Sequence, residues 1–402
     1  MDDRLRRYRA AVAFIVAAVM VSPSTVHADG PPYRWSDNWP THLTTANGLD
    51  IGLNLKFQRD GNWYTGATGE NEDPRSARRH ELGFYLKKPG AFDAVVAYDF
   101  LSSKWLDVFA RMQTAPWLGR DAGALRLGYS KTPVSLEGNT GTGSTTFMET
   151  ALPTQAFFES RRLGMDWSLV RTTFLVSAGY YPDGDLQGGG DGHTVAARAA
   201  WVPLNAPGHI LHLGISLSHE YPEWTTDGRG IHTPPTARLQ AEPEASLVDQ
   251  ALVDSGALVN ANEVHRRGLE LVAIDGPWSL QAEYLQARVS FRDEQPAFHG
   301  SGYYAFVSWF ATGESRPYAA GNVSDVRPRH AAGALELALR YSQVDLDDGA
   351  IQGGRESNWT LGANWYLTRY FKIQANWIHG HAENVAPKVS PNLFQMRAQV
   401  MF

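Results

Sequence analysis

Cysteine is absent from this chain of 402 residues, so no disulfide framework can stabilise it and no thiolate can serve as nucleophile or metal ligand. Long apolar runs are missing as well. The run Ala10 to Val21, "AAVAFIVAAVMV", falls short of the ~20 residues a membrane helix needs, and no later stretch approaches that length. Three-and-four spacing of apolar residues, the helical signature, is nearly absent. "GTGST" at Gly141 to Thr145 is not a G-x-S-x-G nucleophile elbow, and no helical pattern follows it. No phosphate-cradling G-x-x-x-x-G-K-[ST] and no H-E-x-x-H occurs. Net charge is −6 with no basic stripe, which leaves nucleic-acid binding unsupported. These absences argue against an enzyme, and no pattern asks for a cofactor.

The chain opens on a short basic region, "MDDRLRRYR", followed by the Ala10–Val21 run and by "VHA" at Val26 to Ala28. That order reads as a secretory signal peptide over residues 1–28, cut after Ala28, with residues 29–402 exported. Beyond it, apolar and polar residues alternate. In "LDIGLNLKF" Ile51, Leu53, Leu55 and Phe57 share one face, while Asp50, Gly52, Asn54 and Lys56 take the other. "ILHLGISLS", "ALELALRYS", "NWTLGANW" and "FKIQANWI" repeat the scheme. Period two means β-strands, so the fold class is all-β. Tight connectors such as "KKPG", "NAPGH" and "IDGP" alternate with long polar loops: Arg59 to Arg78, Thr132 to Ser160, Pro182 to Gly192 and Tyr221 to His265. Short turn, strand, long loop, strand is the rhythm of a transmembrane antiparallel β-barrel, and from Leu49 to Phe402 it counts about sixteen strands.

A soluble sandwich also alternates, so the composition of the faces decides. The polar faces carry Gly, Ser, Asn, Gln and mixed charges, which suit a water-filled lumen. The apolar faces carry Trp201, Trp278, Trp309, Trp359, Trp365 and Trp377, as interfacial girdles require. Near sixteen strands a lumen is an aqueous channel rather than a packed core. Alternation points Lys56, Arg79, Lys87, Arg111, Arg126, Arg162, Arg198, Arg266, Arg340, Lys372 and Arg397 inward. Asp50, Glu81, Asp93, Asp99, Asp107, Asp166, Glu270, Glu283 and Glu336 point the same way. Two readings stand open: a basic track that guides anions, or a wall of paired charges with little net bias. The loop Thr132 to Ser160 is expected to fold inward and constrict the pore, with Lys131, Arg161 and Arg162 at its base and Glu149 and Thr150 within it; the alternative is an external flexible loop. The connector Gly313 to Gly333 is long where a short turn is due, and is expected to fold into the pore mouth. "HGHAE" (His379, His381, Glu383) could hold a metal ion, although loop histidines without a ligand role are commoner.

Three blocks then resemble one family. "LGYSKTPVSLE…TFMETALP…RRLGMDW", "RRGLELVAIDGPWSLQAEYLQARV" and "GYYAFVSWFATGESRPY" look like the phosphate-selective porin O and P family. The resemblance implies a sixteen-stranded trimeric barrel of the Gram-negative outer membrane, in contact with its lipids. It also implies an inward constriction loop and a basic path for small inorganic anions, phosphate or polyphosphate. Carried over by position, Lys131, Arg161 and Arg162 belong to that path. In the family a basic residue usually follows the loop glutamate; here Thr150 stands there. A differently selective porin, or a barrel receptor or adhesin, is the competing expectation. The final alternation, "NLFQMRAQVMF", is expected to close the barrel against Leu49 to Phe57. Its terminal Phe402 resembles the signal that outer-membrane assembly machinery reads.

Overall fold

An alternating strand exposes unpaired N–H and C=O groups on both edges, and in lipid these can be satisfied only by closure. The chain closes. In this computed structural model the described residues are 42–45, 48–65, 75–184, 186, 192–226, 230–245, 251–383 and 390–402. The expected signal peptide lies outside them. The first eight wall strands are β1 Asp50–Thr65, β2 Arg75–Lys88, β3 Phe92–Asp99, β4 Lys104–Gln113, β5 Ala124–Lys131, β6 Arg161–Val170, β7 Phe174–Asp183 and β8 Gly192–Ala206. The second eight are β9 His209–Pro222, β10 Ala261–Asp275, β11 Trp278–Phe291, β12 Phe298–Phe310, β13 Ala334–Asp348, β14 Ile351–Tyr366, β15 Phe371–Glu383 and β16 Asn392–Met401. Each pairs antiparallel with the next, and β16 returns to β1, giving a closed barrel of 16 strands.

The seam sits further along β1 than the sequence suggests. The pairing runs from Lys56 opposite Met401 to Thr65 opposite Asn392, and Asp50–Gly52 pair instead with the short strand His42–Thr44. A closed barrel must stagger its strands, so its last strand cannot lie flush with the start of its first. The long loops are likewise shorter than expected: β1 continues to Thr65 and β2 begins at Arg75. Polar residues here extend strands because both strand faces meet polar surroundings above the lipid band.

Outward faces carry the apolar residues and the tryptophans, with Trp201, Trp278, Trp359 and Trp377 all about half exposed. Trp278 and Trp309 stack across β11 and β12 with ring centroids 5.7 Å apart. Inward faces are polar low in the barrel, but not throughout. Leu285, Ala287 and Val289 of β11 point inward and are buried against Leu152 and Phe157 of the constriction loop. Leu239, Ala241, Val253 and Leu258, from the segment between β9 and β10, complete that cluster. Two loops therefore occupy one side of the lumen. The connector between β12 and β13 enters from the opposite end, as expected. Tyr318 Oη lies 2.7 Å from His212 Nδ1, the Gly321 carbonyl accepts from Arg198 at 2.8 Å, and Val323 packs with Leu136, Val202 and Ile210.

Candidate functional site

The loop Thr132 to Ser160 joins β5 to β6 and lies inside the barrel, with two short helical turns at Leu136–Asn139 and Leu152–Phe157. A chain inside a wet lumen must still satisfy its backbone, and the wall does this with side chains. The Glu283 carboxylate accepts from the N–H groups of Leu136 (2.9 Å) and Glu137 (2.6 Å). Lys372 donates to the carbonyl of Gly143 at 2.9 Å, Asn364 to that of Thr146 at 2.8 Å, and Arg397 to that of Met148 at 2.6 Å. Lys131 donates to Gly138 and Thr140 at the loop's own base. Ser135 holds a φ of 65°, a conformation that costs a non-glycine residue energy. Its N–H donates to Ser216 Oγ and its hydroxyl accepts from Gly138 N, which fixes the bend.

Most of the inward cations have an acid beside them. Lys56 and Arg79 meet Glu81 at 2.8 and 3.1 Å, Arg111 meets Asp93 at 2.8 Å, and Arg126 meets Asp166 at 2.8 Å. Arg161 meets Asp107 at 3.0 Å, and Arg162 lies 3.3 Å from Glu220 and 3.5 Å from Glu159. Arg198 meets Glu270 at 2.8 Å and Arg340 meets Glu244 at 2.7 Å, both pairs buried. Arg397 bridges Asp60 at 2.7 Å and Glu149 at 2.6 Å. Of the two readings of these charges, the paired wall describes Arg198 and Arg340, which are buried and border neither of the voids described next.

Space remains on the side of β1 to β6. One void of about 600 Å³ lies toward the long loops and is bordered by Arg78, Arg79, Lys104, Arg161, Arg162, Arg238 and Arg266, against Asp99, Glu159 and Glu220. Among the described residues seven cations and three carboxylates line it, and four of those cations, Arg78, Arg79, Arg161 and Arg238, also pair with carboxylates outside the lining: Glu149, Glu81, Asp107 and Asp254. A second void of about 340 Å³ is bordered by Glu149, Thr150, Met148 and Arg397. Arg78, Arg79, Gln155 and Gln240 border both, so the two voids meet at this pair of arginines.

Period-two reasoning found Arg79 but missed Arg78, and the register explains why. Gln58 pairs with Arg79 while Arg59 pairs with Ala77, so Arg78 is the extra residue of a β-bulge. The bulge turns two consecutive guanidinium groups into the lumen. Arg78 holds Glu149 by two hydrogen bonds of 2.9 and 3.0 Å. Arg79 Nε, by contrast, is buried without a hydrogen-bond partner. Burial works against the Glu149 charge, yet Arg78 and Arg397 prevail and hold its carboxyl down at about 2. Thr150 contributes its carbonyl, which accepts from Gln155 at 2.8 Å. The wall residues Gln240, Arg238 and Glu242 come from the β9–β10 segment, which no spacing in the sequence singles out. The His379–His381 pair, which the sequence does not favour as a metal site, faces outward: His379 Nδ1 lies 2.8 Å from Asn392 Oδ1, and His381 Nε2 lies 3.2 Å from Glu383.

The profile of the family described as "Phosphate-selective porin O and P" matches residues 51–402. The chain belongs to that family. Porin O of Pseudomonas aeruginosa is 26% identical over 212 residues, 47% of this chain and 48% of that protein. An uncharacterised protein of Caulobacter vibrioides is 30% identical over 291 residues, 68% of this chain and 56% of that protein. The chain thus spans about half the length of these curated relatives. Among solved structures, the anion-selective porin of Comamonas acidovorans aligns with a TM-score of 0.56 at 12% identity, covering 88% of this chain and 100% of that one. OmpT of Vibrio cholerae aligns at 0.55 and 10% identity, covering 90% and 100%. At these identities the likeness concerns the fold. Membership in this porin family and a closed barrel place the chain in the bacterial outer membrane, with the architecture of a channel rather than of an enzyme.

Proposed function

We propose that the protein is an outer-membrane porin through which small anions diffuse passively, with phosphate or polyphosphate the favoured solutes. The observation that carries this is the meeting of the two voids at Arg78 and Arg79. The lining of the larger void holds more cations than carboxylates, and Arg79 Nε there is buried without a hydrogen-bond partner. In a narrow lumen with low-dielectric walls such an excess concentrates anions, and fixed N–H donors can replace part of a phosphate's hydration. The path runs over Arg79, Arg161, Arg162 and Arg397, with Arg78 added; Lys56, Arg111, Lys131, Arg126, Arg198 and Arg340 serve the wall and the loop. Export through a signal peptide over residues 1–28, insertion by the outer-membrane assembly machinery and assembly as a homotrimer complete the proposal. OmpT of Vibrio cholerae has been described in a trimer form, which supports the last point.

The test is chloride current in planar bilayers as phosphate is added. Concentration-dependent block at millimolar phosphate, weakened in Arg79→Gln, is the expected result. Current unchanged by phosphate would reduce the protein to a general anion porin, the reading that the loss of a loop cation at Thr150 favours. Absence of conductance steps from folded protein would leave a receptor or adhesin.

A further inference from the structure

The long segment between β9 and β10 roofs the constriction loop, and its two stems carry an unusual group of side chains. His219 stands near the end of β9 and His265 near the start of β10, directly opposite one another in the register. Glu263 precedes His265 by two residues and shares its face. His219 continues the outward row of Leu213, Ile215 and Leu217 on β9, Glu263 and His265 continue that of Leu269 and Arg267 on β10, and each of the three is about 30% exposed. They are at the rim, outside the pore.

We propose that His219, Glu263 and His265 bind a divalent transition-metal ion of the zinc class on the outer face, tying the two stems of the roof segment together. Their ligand atoms all lie within 4.8 Å of one another. Glu263 Oε2 is 3.1 Å from His265 Nε2 and 3.6 Å from His219 Nε2. A tetrahedral ion with bonds of about 2.0–2.1 Å keeps its ligands about 3.3 Å apart, which the ligand-atom spacing approaches; the two imidazoles, packed with ring centroids 3.8 Å apart, turn to bring both lone pairs onto the ion. His219 Nε2 is buried and makes no hydrogen bond, which leaves its lone pair available once the other nitrogen carries the proton. That other nitrogen, Nδ1, sits 3.1 Å from the Tyr221 hydroxyl, and the Tyr221 ring stacks on His219 with centroids 4.0 Å apart. Metal-bound histidines are commonly oriented by such a partner on the second nitrogen. Two imidazoles and one carboxylate suit zinc, nickel, cobalt or copper better than calcium or magnesium, which prefer oxygen alone. Three protein ligands leave a fourth position for water.

The experiment titrates the refolded full-length barrel with Co²⁺, read by visible absorption, and with Zn²⁺, read by calorimetry. The expected result is one ion per chain with a tetrahedral cobalt spectrum, and at least tenfold weaker binding in His219→Ala, His265→Ala and Glu263→Gln. His381→Ala should bind as the wild type does. Glu263→Gln preserves side-chain shape, so it remains informative should a histidine variant fold poorly. Absence of a cobalt spectrum, or binding unchanged in the His219→Ala/His265→Ala pair, would overturn the site. So would binding abolished by His381→Ala. None of these outcomes depends on what passes through the pore.

Discussion

Arg78 and Arg79 stand side by side at the neck because one extra residue interrupts the alternation of β2. Glu149 answers Arg78 and Arg397 and partly cancels them, so its carboxylate acts as a latch on the constriction loop. Its carboxyl is depressed from 4.5 to about 2, so the charge stabilises the folded loop above the ordinary value, and that contribution is lost as pH falls through about 2. Single-channel conductance should therefore show no loop transition between pH 7 and pH 4, and a change only as pH approaches 2. A transition near pH 4.5 would mean that the latch is not engaged. Glu149→Gln should raise anion preference and open-channel noise together at neutral pH, since Arg78 loses its carboxylate partner and Arg397 keeps Asp60 alone. At this scale the inward cations were legible from period two. Arg78 was not, because a bulge shifts the face without altering composition, and the ion pairs were not, because they join strands distant in sequence.

Strands and loops divide the work differently from what alternation alone conveys. Lys131 and Arg161 bound the constriction loop in the structure as they do in the sequence, and the connector after β12 enters the mouth because it is too long for a turn. The roof between β9 and β10 was legible only as a long polar stretch. Its apolar residues are spaced too irregularly to signal a strand, yet Leu239 and Val253 are buried against Phe157 and the wall. Leu239→Ala should cost about 2–5 kcal/mol locally, read as earlier protease cleavage of the roof at unchanged barrel content. Equal protease resistance would place the roof's hold elsewhere, in Arg340 and Glu244.

The barrel as a whole depends on its seam. The Phe402 N–H donates to the Leu55 carbonyl at 2.9 Å, and its ring lies 5.2 Å from that of Tyr370. The terminal strand pattern thus serves as the closing edge, and meets only Leu55 to Phe57 of the stretch first expected to receive it. Deleting Phe402 should reduce the amount of barrel assembled in cells more than the conductance of refolded protein; equal loss in both would make the residue structural alone. If Arg78 and Arg79 set the ion preference at the neck, the zero-current potential in a potassium chloride gradient reports it. The wild type should be anion-selective. Arg78→Gln/Arg79→Gln should shift the permeability ratio toward cations by about fivefold or more, since a unit charge within ~4 Å of the path contributes about 1 kcal/mol even in water. Arg111→Gln, which borders neither void, should leave the ratio near the wild-type value. A cation-selective wild type, or a double variant with an unchanged potential, would mean that Arg78 and Arg79 do not select the ion.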